Sequence, residues 1–202
     1  MAVLTGSIAD QLIAEQGANV VIPDTYTSIE DLAFFSKFAL DTIEIPESIV
    51  TIGDYAFKGN NLTRVTIPEG VKSIGQMAFS TNKLEAIVIP TSTSSIPYGA
   101  FLDNKLTSVN IPSNITSIGE RAFQGNSIDN ATISENVITL GDNAFDPSTV
   151  VVNLSNGKVI GPDQTLYDIL QGLSSGGTTS NRINKGNETL GTRDIFLLPN
   201  VS

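Results

Sequence analysis

IPEGVKSIGQMAFSTNKLEAIV, residues 67–88, has a close counterpart in IPSNITSIGERAFQGNSIDNAT at 111–132. Working outward from these two, Ile22-Pro23, Ile45-Pro46, Ile67-Pro68, Ile89-Pro90, Ile111-Pro112 and Ile133-Ser134 mark one corner of a unit. Ala33-Phe34, Ala56-Phe57, Ala78-Phe79, Ala100-Phe101, Ala122-Phe123 and Ala144-Phe145 mark another. Both series step by 23 once and by 22 thereafter. A fixed period of that length predicts stacked coils, each burying the apolar face of its neighbour, and not a globule.

Each unit ends in a short segment with period-two alternation, as in Leu62-Thr63-Arg64-Val65-Thr66-Ile67, where Leu62, Val65 and Ile67 point inward and Arg64 and Thr66 outward. Seven such strands side by side predict a parallel sheet. The proline after each Ile removes a backbone donor and fixes φ where the strand must turn, and Gly53, Gly75, Gly119 and Gly141 supply a second bend. The phenylalanines are expected inside, each stacked on its counterpart one coil away. Asn60, Asn82, Asn104 and Asn126 recur at one position, where a side-chain amide can satisfy turn backbone groups, and are read as a structural ladder.

The expected organisation is an N-terminal cap over residues 1–18, a solenoid of about six repeats over 19–160, a C-terminal cap helix over 161–173 and an extended tail over 174–202. Within the first cap, Ser7 with Asp10 resembles a capping box, Ile8, Leu12 and Ile13 share a helical face, and Gly17 stands at the stop, which predicts a helix over 7–16. PDQTLYDILQGL at 162–173 reads as an amphipathic helix that closes the far end. Residues 174–193 have the Gly/Ser/Thr/Asn composition of a flexible linker. Ile195, Phe196, Leu197 and Leu198 then form an apolar stretch expected to dock, either on the array or on another chain.

Composition excludes much chemistry. With 21 acidic against 11 basic residues, the chain repels phosphate backbones and anionic headgroups, so nucleic acid is not an expected partner. It has no His and no Cys, which removes the commonest general base, nucleophilic Cys–His pairs, thiolate metal sites and disulfides. No apolar run approaches the roughly 20 residues that span a bilayer, so membrane insertion is not expected. The start MAVLTGSIADQLIAEQG does not read as a secretory signal, and Met1 leans towards a protein not exported by that route.

The residues quoted above resemble the BspA-type leucine-rich repeat, whose units carry Ile-Pro, Ser-Ile-Gly, Ala-Phe and Leu-x-x-Val-x-Ile-Pro in this order. Asn60, Asn82, Asn104 and Asn126 stand where that family commonly has Cys, and the unit is often one residue longer there. The resemblance implies a mainly β repeat solenoid, a right-handed superhelix with a parallel sheet on one face. It also implies adhesion or protein binding and not catalysis, and a cell-surface setting.

Acidic residues align in two rows, Asp24, Glu47, Glu69 and Glu135, and Asp31, Asp54, Glu120 and Asp142. A carboxylate-only enzyme or a calcium site would draw on these, but a solvated face is the expectation, and no catalytic, cofactor or metal residue is assigned. Asn-x-Ser/Thr sequons at Asn61, Asn114, Asn130, Asn153 and Asn187 are what an Asn- and Thr-rich chain produces by chance. The candidate protein-binding face is the outward strand stripe: Thr42, Glu44, Arg64, Thr66, Ala86, Val88, Ser108, Asn110, Asn130 and Thr132. The fourth repeat, TSTSSIPYGAF, departs furthest from the pattern, and its Tyr98 near Met77 is a candidate apolar patch. The first functional reading is a non-catalytic binding or adhesion scaffold. The second is a structural subunit of a large assembly, such as a capsid decoration or tail protein of a virus particle, docked through its termini.

Overall fold

A computed structural model describes residues 2–38, 40–134, 136–153, 184–185 and 188–189. The described chain winds into a parallel β-solenoid of about six turns with one α-helix. Its elements in order are β1 (Ala2–Leu4), α1 (Gly6–Gln16), β2 (Asn19–Val21), β3 (Tyr26–Ile29), β4 (Thr42–Glu44), β5 (Thr51–Ile52), β6 (Ser73–Ile74), β7 (Ser95–Ile96), β8 (Ser117–Ile118), β9 (Asn130–Ile133), β10 (Thr139–Leu140) and β11 (Val150–Asn153). A short antiparallel pair, β12 (Asn184–Lys185) with β13 (Glu188–Thr189), follows inside the segment whose composition reads as linker. The C-terminal helix expected over 161–173 lies outside the described residues, as do Ile195, Phe196, Leu197 and Leu198.

Two faces carry parallel pairing, where the sequence predicts one sheet. On the expected face β2 pairs with β4 and β9 with β11, and single bridges join Val88 to Asn110 and Asn110 to Thr132. On the second face the Ser/Thr-Ile dipeptides form ladders, β1-β3-β5-β6 and β7-β8-β10. The alternation in each repeat is too short there to be read as a strand, because only two residues of each coil pair before the glycine bend. Those glycines do more than bend the chain: a Cβ on Gly75 would lie 2.3 Å from the carbonyl carbon of Gly53, and one on Gly141 would lie 2.2 Å from the nitrogen of Glu120. Coil backbones approach closely at these glycines, which leaves no room for a side chain there, while Glu30 and Pro97 hold the same position in the first and fourth coils.

The core follows the repeat. Phe34, Phe57, Phe79, Phe101 and Phe123 are fully buried, and their rings, with that of Phe145, stack at centroid separations of 5.2–5.7 Å and interplanar angles of 5–15°. Each pair contributes about 0.5–1.5 kcal/mol beyond the apolar area it removes from water. The alanine before each Phe is also buried.

Asn82 donates from Nδ2 to the carbonyls of Phe57 (2.9 Å) and Phe79 (3.1 Å), and its Oδ1 accepts from the Leu62 amide (3.2 Å). Asn104 and Asn126 repeat this arrangement one and two coils further on. Asn60 makes both donations, but its buried Oδ1 has no partner among the described residues. The preceding coil carries Lys37 at the ladder position, so the ladder begins at Asn60.

The N-terminus differs in detail from its sequence pattern. The helix cap is Thr5, whose side chain accepts from the Ile8 amide, and not Ser7, which lies inside the first turn. Gly17 ends the helix at φ 73° and donates to the Ile13 carbonyl. Before the helix, β1 supplies a first rung to the second ladder, burying Leu4 and accepting from the Glu30 amide. The helix packs against β2. One end of the array is thus covered by a helix on one face and by a three-residue edge strand on the other.

Candidate functional site

The outward stripe falls in two columns by repeat position, with parallel pairing at Val88, Asn110 and Thr132 and no strand or bridge at Arg64 or Thr66. One runs through Thr42, Arg64, Ala86, Ser108 and Asn130, the other through Glu44, Thr66, Val88, Asn110 and Thr132. Among the described side chains Thr42 is half-buried and the rest of both columns are exposed, Val88 at 70%. Between the columns Ile43, Ile87, Val109 and Ala131 are buried in the core, which sets the neighbouring stripe residues outward. Thr42 donates from Oγ1 to Asn19 Oδ1 at 2.8 Å. The stripe carries two charged side chains, Glu44 and Arg64, and no aromatic. The structure thus brings the stripe residues to one face, with Asn130 and Thr132 held on β9 by its pairing with β11.

Three residues of the acidic rows, Asp31, Asp54 and Glu69, are engaged in architecture. Asp31 Oδ1 accepts from the Asp54 amide, and Asp54 Oδ1 from the Gln76 amide, each at 2.7 Å, so these carboxylates cap the next coil. Glu69 Oε2 accepts from both the amide and the hydroxyl of Thr91. Glu135 lies outside the described residues. Asp31, Asp54 and Glu30 flank an open groove of about 450 Å³ along the second ladder, floored by Ile29, Ile52 and Gly75. Among the described residues no three acidic side chains come close enough to hold a metal ion. Of the sequons, Asn61 and Asn114 spend their amide nitrogens on the carbonyls of Phe38 and Thr93.

In the fourth coil Thr93, standing in a column with Ile49, Val71, Ile115 and Val137, is buried and donates from Oγ1 to the Val71 carbonyl at 3.0 Å. Tyr98 is half-buried, and Met77 lies over Gly99, where an added Cβ would meet Met77 Cγ at 3.1 Å.

The larger apolar exposure is at the first coil, which sequence reasoning passed over. Leu32, Phe35 and Phe38 are 51%, 40% and 74% exposed. The signal was available, because the position of Phe38 is occupied by Asn61, Lys83, Lys105 and Ser127 in the next four coils. The same corner continues into Tyr55 and Met77 of the second and third coils, with Lys58 set over the Tyr55 ring at 5.4 Å from its centroid.

Among curated proteins no sequence matches this chain. Solved structures with a similar fold include a leucine-rich cell surface protein from Faecalibacterium prausnitzii, 24% identical over 72% of this chain with a TM-score of 0.49. A leucine-rich repeat protein from Bacteroides ovatus is 23% identical over 74% of this chain with a TM-score of 0.47. The match covers 44% of the first protein and 52% of the second, so this chain spans about half the length of each. No helix among the described residues is long and apolar enough to cross a membrane. Six copies of the BspA type leucine rich repeat region match residues 27–152, more than half of the sequence, and the chain belongs to that repeat family.

Proposed function

We propose that the protein is a non-catalytic scaffold that binds a protein partner through the outward stripe, in an adhesion role at a cell surface. The observation that carries this reading is the stripe itself: two exposed columns of mostly short side chains, with two charges in a chain of net charge −10. Small polar and apolar groups cost little to desolvate, and a rigid backbone loses little entropy on binding. Arg64 and Val88 are the side chains best placed as anchors, one as the sole cation of the stripe and the other as its most exposed apolar group.

The test places a photo-crosslinker at Val88 and, separately, at Lys72, just before the second-ladder strand β6, in the protein's native setting. Partner capture from Val88, lost on Arg64→Glu, supports the reading. Equal capture from both positions refutes it. The second reading, a subunit of a large assembly such as a virus particle docked through its termini, is favoured by the apolar run Ile195-Phe196-Leu197-Leu198. It requires that residues 174–202 resist protease only in the assembly and are cleaved in the purified monomer.

A further inference from the structure

We infer that the apolar corner of the first three coils is a docking surface for this chain's own C-terminal segment, Asp194-Ile195-Phe196-Leu197-Leu198-Pro199. The surface is made by Leu32, Phe35, Tyr55, Lys58 and Met77, with the exposed Phe38 three residues beyond Phe35 on the first coil. It is separate from the outward stripe, and its assignment stands or falls independently of the stripe's partner.

Eight large apolar side chains are exposed among the described residues, and three of them, Leu32, Phe35 and Phe38, fall within seven consecutive residues. Their neighbours are set by the coil stacking. Leu32, Tyr55 and Met77 occupy one position of successive coils, and the amides of Phe35 and Lys58 bond back to the carbonyls of Leu32 and Tyr55. An apolar cluster of this kind, rimmed by polar coils, marks a binding surface.

The cation in it specifies the occupant. Lys58 Nζ lies 3.4 Å from Met77 Sδ and over the Tyr55 ring, and makes no ion pair among the described residues. In a chain with 21 acidic residues, a lysine held against a thioether and a ring leaves its charge open to a carboxylate brought by the occupant. The complementary segment is apolar with one adjoining carboxylate. Residues 194–199 have that composition: four large apolar side chains directly after Asp194, closed by Pro199.

Reach does not limit the contact. About 40 residues separate Asn153 from Asp194, a contour of at most roughly 145 Å. Six coils at about 4.8 Å make an array only about 25–30 Å long. Tethering on one molecule gives an effective concentration on the order of millimolar, which favours the chain's own segment over that of a second copy at micromolar concentration.

The sequence has no Trp, so Phe196→Trp in the full-length protein installs a single reporter. Docking shifts its emission to the blue and shields it from acrylamide, equally at all protein concentrations. Phe38→Asp in that background lowers the docked-to-free ratio about tenfold. Lys58→Glu lowers it about fivefold, and adding Asp194→Lys to Lys58→Glu restores it, which loss of folding would not produce. Circular dichroism confirms that both surface variants keep the array. Water-exposed emission at every concentration overturns the assignment. Shielding that grows with concentration overturns the intramolecular occupant, since the segment then docks on a second copy. Shielding indifferent to both surface variants places the segment elsewhere and equally overturns it.

Discussion

Asn82→Asp replaces one amide nitrogen by oxygen in a side chain that is 8% exposed, and leaves its shape almost unchanged. The remaining oxygen still accepts from Leu62, but the new one faces the carbonyls of Phe57 and Phe79 at 2.9 and 3.1 Å. Three acceptors then share a space that held a donor. Keeping the new carboxyl neutral near pH 7 requires moving its pKa about three units above the usual value near 3.9, which costs about 4 kcal/mol. Keeping it charged and unpaired costs about 3–5 kcal/mol. Both routes remove a large part of the roughly 5–15 kcal/mol that holds a domain together.

The pH dependence distinguishes this account from a general packing defect. Burial among carbonyls raises the folded-state pKa, so the native variant holds a proton that the unfolded chain has released. Its stability is fullest below the unfolded value near 3.9 and falls as pH rises towards the raised folded value, by about 1.4 kcal/mol per unit. Urea unfolding followed by circular dichroism at about pH 5.5 and about pH 7.5 should show the gap between variant and parent widening by about 2–3 kcal/mol. A gap that stays constant, or a variant as stable as the parent at the higher pH, would refute the assigned role of the amide nitrogen.

Phe79→Ala deletes a ring stacked at 5.2 and 5.7 Å on its two neighbours and should lower unfolding stability by about 3–5 kcal/mol in the same assay. Gly75→Ala sets a methyl 2.3–2.5 Å from the Gly53–Asp54 peptide, which cannot retreat without parting two coils; a loss of about 3 kcal/mol or more, or failure to fold, is expected. Thr93→Val removes one hydroxyl from the Val71 carbonyl, which Ser92 Oγ also reaches at 2.5 Å, so the cost should stay below about 1 kcal/mol.

The parts of the fold that the sequence displayed are those in which one residue type recurs at one position. The Phe column and the Asn ladder are legible because a single chemical requirement, filling the axis or satisfying the Phe carbonyls, is met identically in each coil. The second ladder was harder to see, since Thr51-Ile52, Ser73-Ile74 and their counterparts are too short to alternate. Thr5 and Ser7 are equally good caps by type, and the choice falls to Thr5 because β1 has already ended at Leu4. The coil-capping role of Asp31 and Asp54 was hidden because an outward carboxylate looks the same in sequence whether it is solvated or bonded to the next coil's amide. The stripe followed from alternation alone. The exposed first-coil phenylalanines were masked by the repeat's own abundance of buried Phe.

The residue before each Ala-Phe pair has a left-handed backbone in every coil: Leu32, Tyr55, Met77, Gly99, Arg121 and Asn143 lie at φ 51–61°. Such a conformation costs a residue with a Cβ about 1–2 kcal/mol and costs glycine nothing comparable. The coil imposes it nonetheless, because this amide points along the stack: that of Leu32 bonds the Asp54 carbonyl, that of Tyr55 the Gln76 carbonyl and that of Met77 the Tyr98 carbonyl. Architecture alone would favour glycine throughout, and only Gly99 uses it. The side chains of Leu32, Tyr55 and Met77 therefore stand at this corner against the local conformational preference. Arg121 and Asn143 hold the same conformation without an apolar side chain, so the stacking hydrogen bonds of this amide offset the strain in the coils from Leu32 to Arg121. What Leu32, Tyr55 and Met77 add beyond that is the apolar surface around Lys58.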